Sequence, residues 1–204
     1  MADEAAFRVD VEGLAARRGG RIVIENIAFT IEPSSIYVLR GANGAGKSTL
    51  LRALAGLSPL AAGSINGAEG VRPETVFLGH ADGVSGALTA RENLSFWRTI
   101  YGAEEGAVEK AIAIMKIAPL LHQRASTLSA GQRRRLALCR ALLSGRKLWL
   151  LDEPTAGMDA ASIKAVVIAI LTHRDAGGAV IVATHEPLVF EGATTITLVG
   201  AEVA

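Results

Sequence analysis

The chain has 204 residues, half of them hydrophobic, with 21 basic against 20 acidic side chains and a formal net charge of +1. That balance excludes a disordered polypeptide, and it excludes a broad nucleic-acid-binding surface, which needs a marked basic excess. One cysteine, Cys139, excludes an internal disulfide. No N-terminal stretch combines the charged start, apolar middle and cleavage site of a secretory signal. No apolar run reaches the roughly 18 residues of a membrane span. Any membrane contact is therefore expected to run through another chain, and the length suits one compact domain over residues 1–204.

In chain order, Phe7, Val9 and Val11 alternate with Arg8, Asp10 and Glu12, and Ile27, Phe29 and Ile31 alternate with Ala28, Thr30 and Glu32. Both are the period-two pattern of half-buried strands. The apolar run Ile36–Leu39 predicts a buried strand, and Gly41-Ala42-Asn43-Gly44-Ala45-Gly46-Lys47-Ser48 follows it. Strand, glycine-rich turn and helix in that order make a phosphate-binding loop. Several backbone N–H donors must crowd one anion, and glycine lets the backbone turn that sharply. Lys47 places a charge for the β- and γ-phosphates, and Ser48 offers a hydroxyl to Mg²⁺. Thr49–Leu57 reads as a helix whose N-terminus faces the phosphates.

Val76-Phe77-Leu78 leads into Gly79 and His80. Residues of roughly 85–146 are mostly helical in pattern, as Val108, Ile112 and Met115 illustrate. Within them Leu128-Ser129-Ala130-Gly131-Gln132 precedes a helix over Arg133–Leu143, with Ser129 as its N-cap and open N–H groups behind it. The run Arg133-Arg134-Arg135 is expected to be a solvated face, and Cys139 a small buried apolar residue. Leu148–Leu151 is a buried strand ending in Asp152 and Glu153, where ligands bind in open α/β sheets. Asp152 would orient a Mg²⁺ shell, largely through water, and Glu153 would polarise the attacking water. Ala179–Ala183 and Thr194–Val199 complete the predicted strands.

The segment Leu128–Gln132 resembles the signature sequence of ATP-binding cassette (ABC) proteins, with Ala130 where the family usually has glycine. Twenty positions separate Gln132 from Asp152, close to the family spacing. Ala156-Gly157-Met158-Asp159 resembles the family's D-loop, and His185 its switch histidine. The resemblance implies an α/β P-loop fold: a mostly parallel core sheet, an antiparallel subsheet and an inserted helical subdomain at about 85–146. It implies ATP and Mg²⁺ as ligands, and a homodimer in which the signature of one copy covers the nucleotide of the other. Integral membrane subunits would carry the pair at the cytoplasmic face of the bacterial inner membrane. No direct nucleic-acid contact is implied.

Two departures stand out. The family's adenine-stacking aromatic aligns best with Arg18; either its guanidinium stacks on the base or it is merely exposed and base binding is weaker. His80 occupies the place of a glutamine that reaches the metal and the catalytic water; it either takes over that role or is structural. The stretch Phe77-Leu78-Gly79-His80-Ala81-Asp82-Gly83, continued by Leu88-Thr89-Ala90-Arg91-Glu92-Asn93-Leu94-Ser95-Phe96-Trp97, is similar to the ATP-binding subunit of the cytochrome c maturation haem exporter. Leu148–Leu151 and an end at Ala204, without a C-terminal extension, agree with it. That resemblance implies a subunit whose hydrolysis releases a haem-loaded periplasmic chaperone. With four scattered histidines and no Cys-x-x-Cys-His run, the chain need not touch haem. The alternatives are the ATPase of a lipid, drug or metal transporter, or a non-transport cassette protein.

Overall fold

In chain order the elements are β1 (Val9–Arg18), β2 (Arg21–Ile31), β3 (Ile36–Arg40), α1 (Lys47–Leu54), β4 (Leu60–Gly67), β5 (Thr75–Leu78), α2 (Ala90–Tyr101), α3 (Glu105–Met115), α4 (Ala130–Leu143), β6 (Leu148–Asp152), α5 (Ala160–Asp175), β7 (Ala179–Ala183) and β8 (Thr194–Thr197). The computed structural model describes residues 7–67 and 74–199. The ends of the expected 1–204 domain, residues 1–6 and 200–204, lie outside them. Among the described residues no helix is long and apolar enough to cross a membrane.

Strands β3, β6 and β7, each built on an apolar run, are the centre of a five-stranded parallel sheet in the order β5-β6-β7-β3-β8. Burial on both faces is what a continuous apolar run predicts for a parallel strand. Side chains alternate between two cores. Ile36, Val38, Trp149, Leu151, Val180 and Val182 join the core shared with helices α2–α5. Tyr37, Leu39, Leu148, Leu150, Ile181 and Ala183 join the core formed with α1 and the antiparallel sheet β2-β1-β4. The parallel core, antiparallel subsheet and helices reproduce the fold class that the sequence implied.

Several features depart from the sequence reading, among them the start of α4 at Ala130 and the end of β8 at Thr197. β1 runs on to Arg18 through Leu14–Arg17, with register shifts near Leu14 and Ala16 that break the simple alternation. β4 was not foreseen, because Leu60–Gly67 is rich in small residues and lacks any period. Helix α1 starts at Lys47 and ends at Leu54, two and three residues earlier than expected. What positions the site is the sheet's polarity: β3, β6 and β7 all end on one edge, and the chain leaves them at Gly41, Glu153 and Thr184.

Candidate active site

The glycine-rich loop is built as its residues require. Gly46, the N-cap of α1, stands at φ 99°, and a Cβ there would come within 2.3 Å of the Ile24 side chain. At Gly41, φ 148°, a Cβ would lie 2.6 Å from the Leu198 carbonyl oxygen. Among the described residues the N–H groups of Gly44, Gly46, Lys47 and Ser48 make no backbone hydrogen bond, so they stand open at the positive end of α1. Lys47 is buried. Its Nζ donates to the carbonyls of Gly41 at 2.8 Å and Ala42 at 3.1 Å, and lies 3.1 Å from His185 Nε2. An ammonium only donates, so His185 Nε2 accepts and its ring proton is assigned to Nδ1.

Glu153 is the next member of the same cluster. Its Oε2 accepts from the His185 N–H at 3.3 Å, and its Oε1 lies 3.6 Å from His185 Nε2. Its backbone is left-handed, φ 48°, which costs a non-glycine residue about 1–2 kcal/mol. The turn is held by the Glu153 N–H donating to Ala183 O at 2.8 Å and by Ala156 N–H donating to Glu153 O at 3.3 Å. Strain of this kind is kept where the surroundings impose it, and it gathers at functional sites. Arg40, at the end of β3, fixes the loop carrying His185 by donating to the carbonyls of Thr184 (3.1 Å), Glu186 (2.7 Å) and Leu188 (3.2 Å).

Two adjoining cavities open over the loop. One of about 300 Å³ is lined by Asn43, Gly44, Lys47, Glu153 and His185. The other, of about 700 Å³, is lined by Arg17, Arg52, His80 and Phe77. Arg18, Ser48, Thr49 and Asp152 border both. The exposed His80 thus shares a cavity with Ser48 and Asp152, as its place in the sequence suggested. Arg18 is exposed and reaches the same space, alongside Arg17 and Arg52, which sequence reasoning missed. Asp152 is buried, and its carboxylate accepts no hydrogen bond among the described residues. A buried carboxylate next to a serine hydroxyl and a phosphate loop fits Mg²⁺, which takes few protein ligands and completes its shell with phosphate and water. No cluster of three or more acidic, histidine or cysteine ligands occurs among the described residues.

The signature segment lies elsewhere. Ser129 caps α4: its hydroxyl accepts from Gln132 N–H at 3.2 Å, while Gln132 Oε1 accepts from Ser129 N–H at 2.9 Å. Ser129 and Ala130 are exposed, and none of Leu128–Gln132 lines either cavity. Gly131 sits against Gly157 and Met158, where a Cβ would meet the Gly157 carbonyl oxygen at 3.2 Å. Asp159 is the N-cap of α5 and accepts from Ser162 N–H at 2.7 Å, which holds its carboxyl below the usual range.

The arginine run departs from its expected solvated face. Arg134 is buried, and its guanidinium donates to the carbonyls of Gly79, Asp152 and Glu153. Arg133 pairs with Asp82 at 3.2 Å, and Arg135 donates to the carbonyls ending α3. The signal for Arg134 was its helical phase. Ala137, Leu138 and Ala141, three, four and seven positions on, are all buried.

A family model described as ABC transporter matches residues 24–156. The chain is 47% identical over 176 residues to the cytochrome c biogenesis ATP-binding export protein CcmA of Cereibacter sphaeroides, covering 86% of this chain and 81% of that one. It is 44% identical to the protein of that name from Rhodobacter capsulatus, covering 92% and 86%. With the one from Rhizobium meliloti it shares 39% identity, covering 95% and 99%. Among solved structures, an ABC transporter ATP-binding protein from Pyrococcus furiosus matches with a TM-score of 0.82 at 25% identity, over 94% of this chain and 97% of that one. An ATP-binding subunit of another ABC transporter matches in fold with a TM-score of 0.77, at 24% identity, over 87% and 79%.

Proposed function

The chain belongs to the ABC transporter family as an ATP-binding member, and on that premise we propose that it is the ATP-hydrolysing subunit of a haem exporter used in c-type cytochrome biogenesis. The hydrolytic part rests on one observation: Lys47, Ser48, Asp152, Glu153 and His185 gather around one cavity floored by open N–H groups. The assignment to cytochrome c biogenesis is supported by the relatives' name and by the Leu78-Gly79-His80 stretch.

The nucleotide's phosphates accept from the N–H groups of Gly44, Gly46, Lys47 and Ser48, and Lys47 exchanges loop carbonyls for phosphate oxygens. Ser48 and Asp152 would hold Mg²⁺, which would neutralise phosphate charge. Glu153 accepts the proton of the attacking water, while His185 fixes the Glu153 carboxylate and offers a hydrogen bond on the γ-phosphate side. His80 faces the same reaction space. Arg18, beside Arg17 and Arg52, serves the base end of the nucleotide by stacking or by charge. Since Ser129 and Gly131 do not line the cavities of their own chain, they complete the site of a second copy. Integral membrane subunits hold the pair at the cytoplasmic face of the inner membrane, and hydrolysis drives release of the haem-loaded periplasmic chaperone.

The test is genetic and chemical together. In cells lacking the gene, covalent haem staining of c-type cytochromes should return with the wild-type chain and not with Glu153→Gln, although both reach the membrane. Normal cytochrome levels without the gene would remove the haem-exporter assignment and favour the ATPase of another transporter.

A further inference from the structure

Arg134 spends a buried charge on three neutral carbonyls. Nη1 donates to Gly79 O at 2.5 Å, and Nη2 donates to Asp152 O and to Glu153 O, the latter at 3.3 Å. Gly79 follows β5 and directly precedes His80, whereas Asp152 and Glu153 end β6. One guanidinium therefore joins the backbone beneath two separate parts of the reaction space. It does so from α4, whose first turn is the signature segment. Burying a cation is unfavourable unless partners compensate. Here the carboxylates of Asp82, Asp152 and Glu153 act on Arg134 without forming an ion pair with it, and its pKa falls below the ordinary arginine value through burial. Neighbouring arginines reinforce the link from the same helix. Arg133 donates to Val84 O at 2.8 Å, and Arg140 donates to Phe77 O at 2.7 Å.

The geometry points to Arg134 as a positioning residue for hydrolysis: it holds the left-handed Glu153 peptide, and with it the carboxylate, and ties that turn and the His80 loop to the signature helix. A shift of α4 is thereby passed to both sides of the reaction space through one side chain. A lysine cannot substitute, because a single ammonium lacks the planar fork that reaches two strand ends at once. The inference rests on Glu153 acting as the base.

The test is a double-mutant cycle in the assembled membrane complex, using Arg134→Lys, Glu153→Gln and the double variant, followed to low rates by single-turnover hydrolysis of labelled ATP. Arg134→Lys should lower kcat about ten-fold or more while KM for ATP stays within about two-fold, because the phosphate contacts of Lys47 and the loop are untouched. In the Glu153→Gln background the same change should cost little more, since the group being positioned is already gone. Losses that multiply in the double variant would overturn the proposal, as would a raised KM at unchanged kcat, or unchanged kinetics. Arg134→Gln is made alongside. If neither Arg134 variant folds while Arg133→Lys does, Arg134 is a stability residue and the proposal falls. Near-normal turnover by Glu153→Gln alone is a separate failure, that of the base, and is read from that variant before the cycle is compared.

Discussion

The residues of the candidate site were legible as a group because phosphate binding calls for specific side chains at specific spacings. Gly46 is the strictest case: left-handed backbone and contact with Ile24 both forbid a Cβ. Gly46→Ala should therefore abolish measurable ATP binding in a fluorescent-nucleotide titration while the two cores still melt cooperatively. Wild-type affinity in that variant would contradict the loop geometry. Cys139, fully buried on α4, has its thiol pushed well above the usual range by burial. Thiol-reactive reagents should leave the native chain unlabelled and modify it once denatured; rapid native labelling would contradict the packing. Arg134 and Arg40 were not legible in the same way. Their role lies in which carbonyls they reach across the fold, and a run of three arginines does not say which one turns inward. The helical phase of Ala137, Leu138 and Ala141 held that information, but only once the inward face of α4 was known.

At the scale of elements, periodicity was informative where one environment acted along a whole segment. β3, β6 and β7 read as buried because each carries an unbroken apolar run, Ile36–Leu39, Leu148–Leu151 and Ala179–Ala183, covered on both faces. β4 was silent because its Leu-Ala-Ala-Gly-Ser-Ile-Asn-Gly stretch has no such contrast, and its strand character comes from pairing with β1. The join of α5 to β6 carries a titration that the sequence could not show. The half-buried His173 of α5 stacks on Trp149 of β6 with ring centroids 4.0 Å apart and planes 11° apart. Burial lowers the His173 pKa, and hydrogen bonds with the backbone at Lys147 and Ala179 only partly oppose that. The folded state thus keeps His173 neutral, while the unfolded chain takes up a proton near the ordinary value of about 6.5. As pH falls through that value toward the lower folded one, the unfolded state binds more protons and stability is lost. Calorimetric melting between pH 7.5 and 5.5 should therefore fall less steeply for His173→Phe, which keeps a stacked ring, than for the wild type. Parallel slopes would assign the acid sensitivity elsewhere.

At the scale of the whole molecule, the proposed function has the chain present half of two sites. The phosphate loop, Ser48, Asp152 and Glu153 share one cavity, whereas Ser129 and Gly131 lie outside it at the head of α4. Ser129→Ala should cost about 1 kcal/mol of stability through loss of the cap, measurable by denaturant unfolding of the isolated chain. A cost that small would leave the fold intact, so a larger loss of ATP turnover in the complex would locate the residue's main role at the second copy. ATP hydrolysis at sites shared between two copies is open to test by complementation within the membrane complex. Chains carrying Lys47→Ala and chains carrying Ser129→Arg are assembled separately and as a mixture, and ATP turnover is measured for each. Each variant alone should be inactive, and the mixture should recover turnover, because its mixed pairs hold one site with an intact Lys47 facing an intact Ser129. Full activity of Ser129→Arg alone, or a mixture that assembles and remains as inactive as its parts, would contradict it.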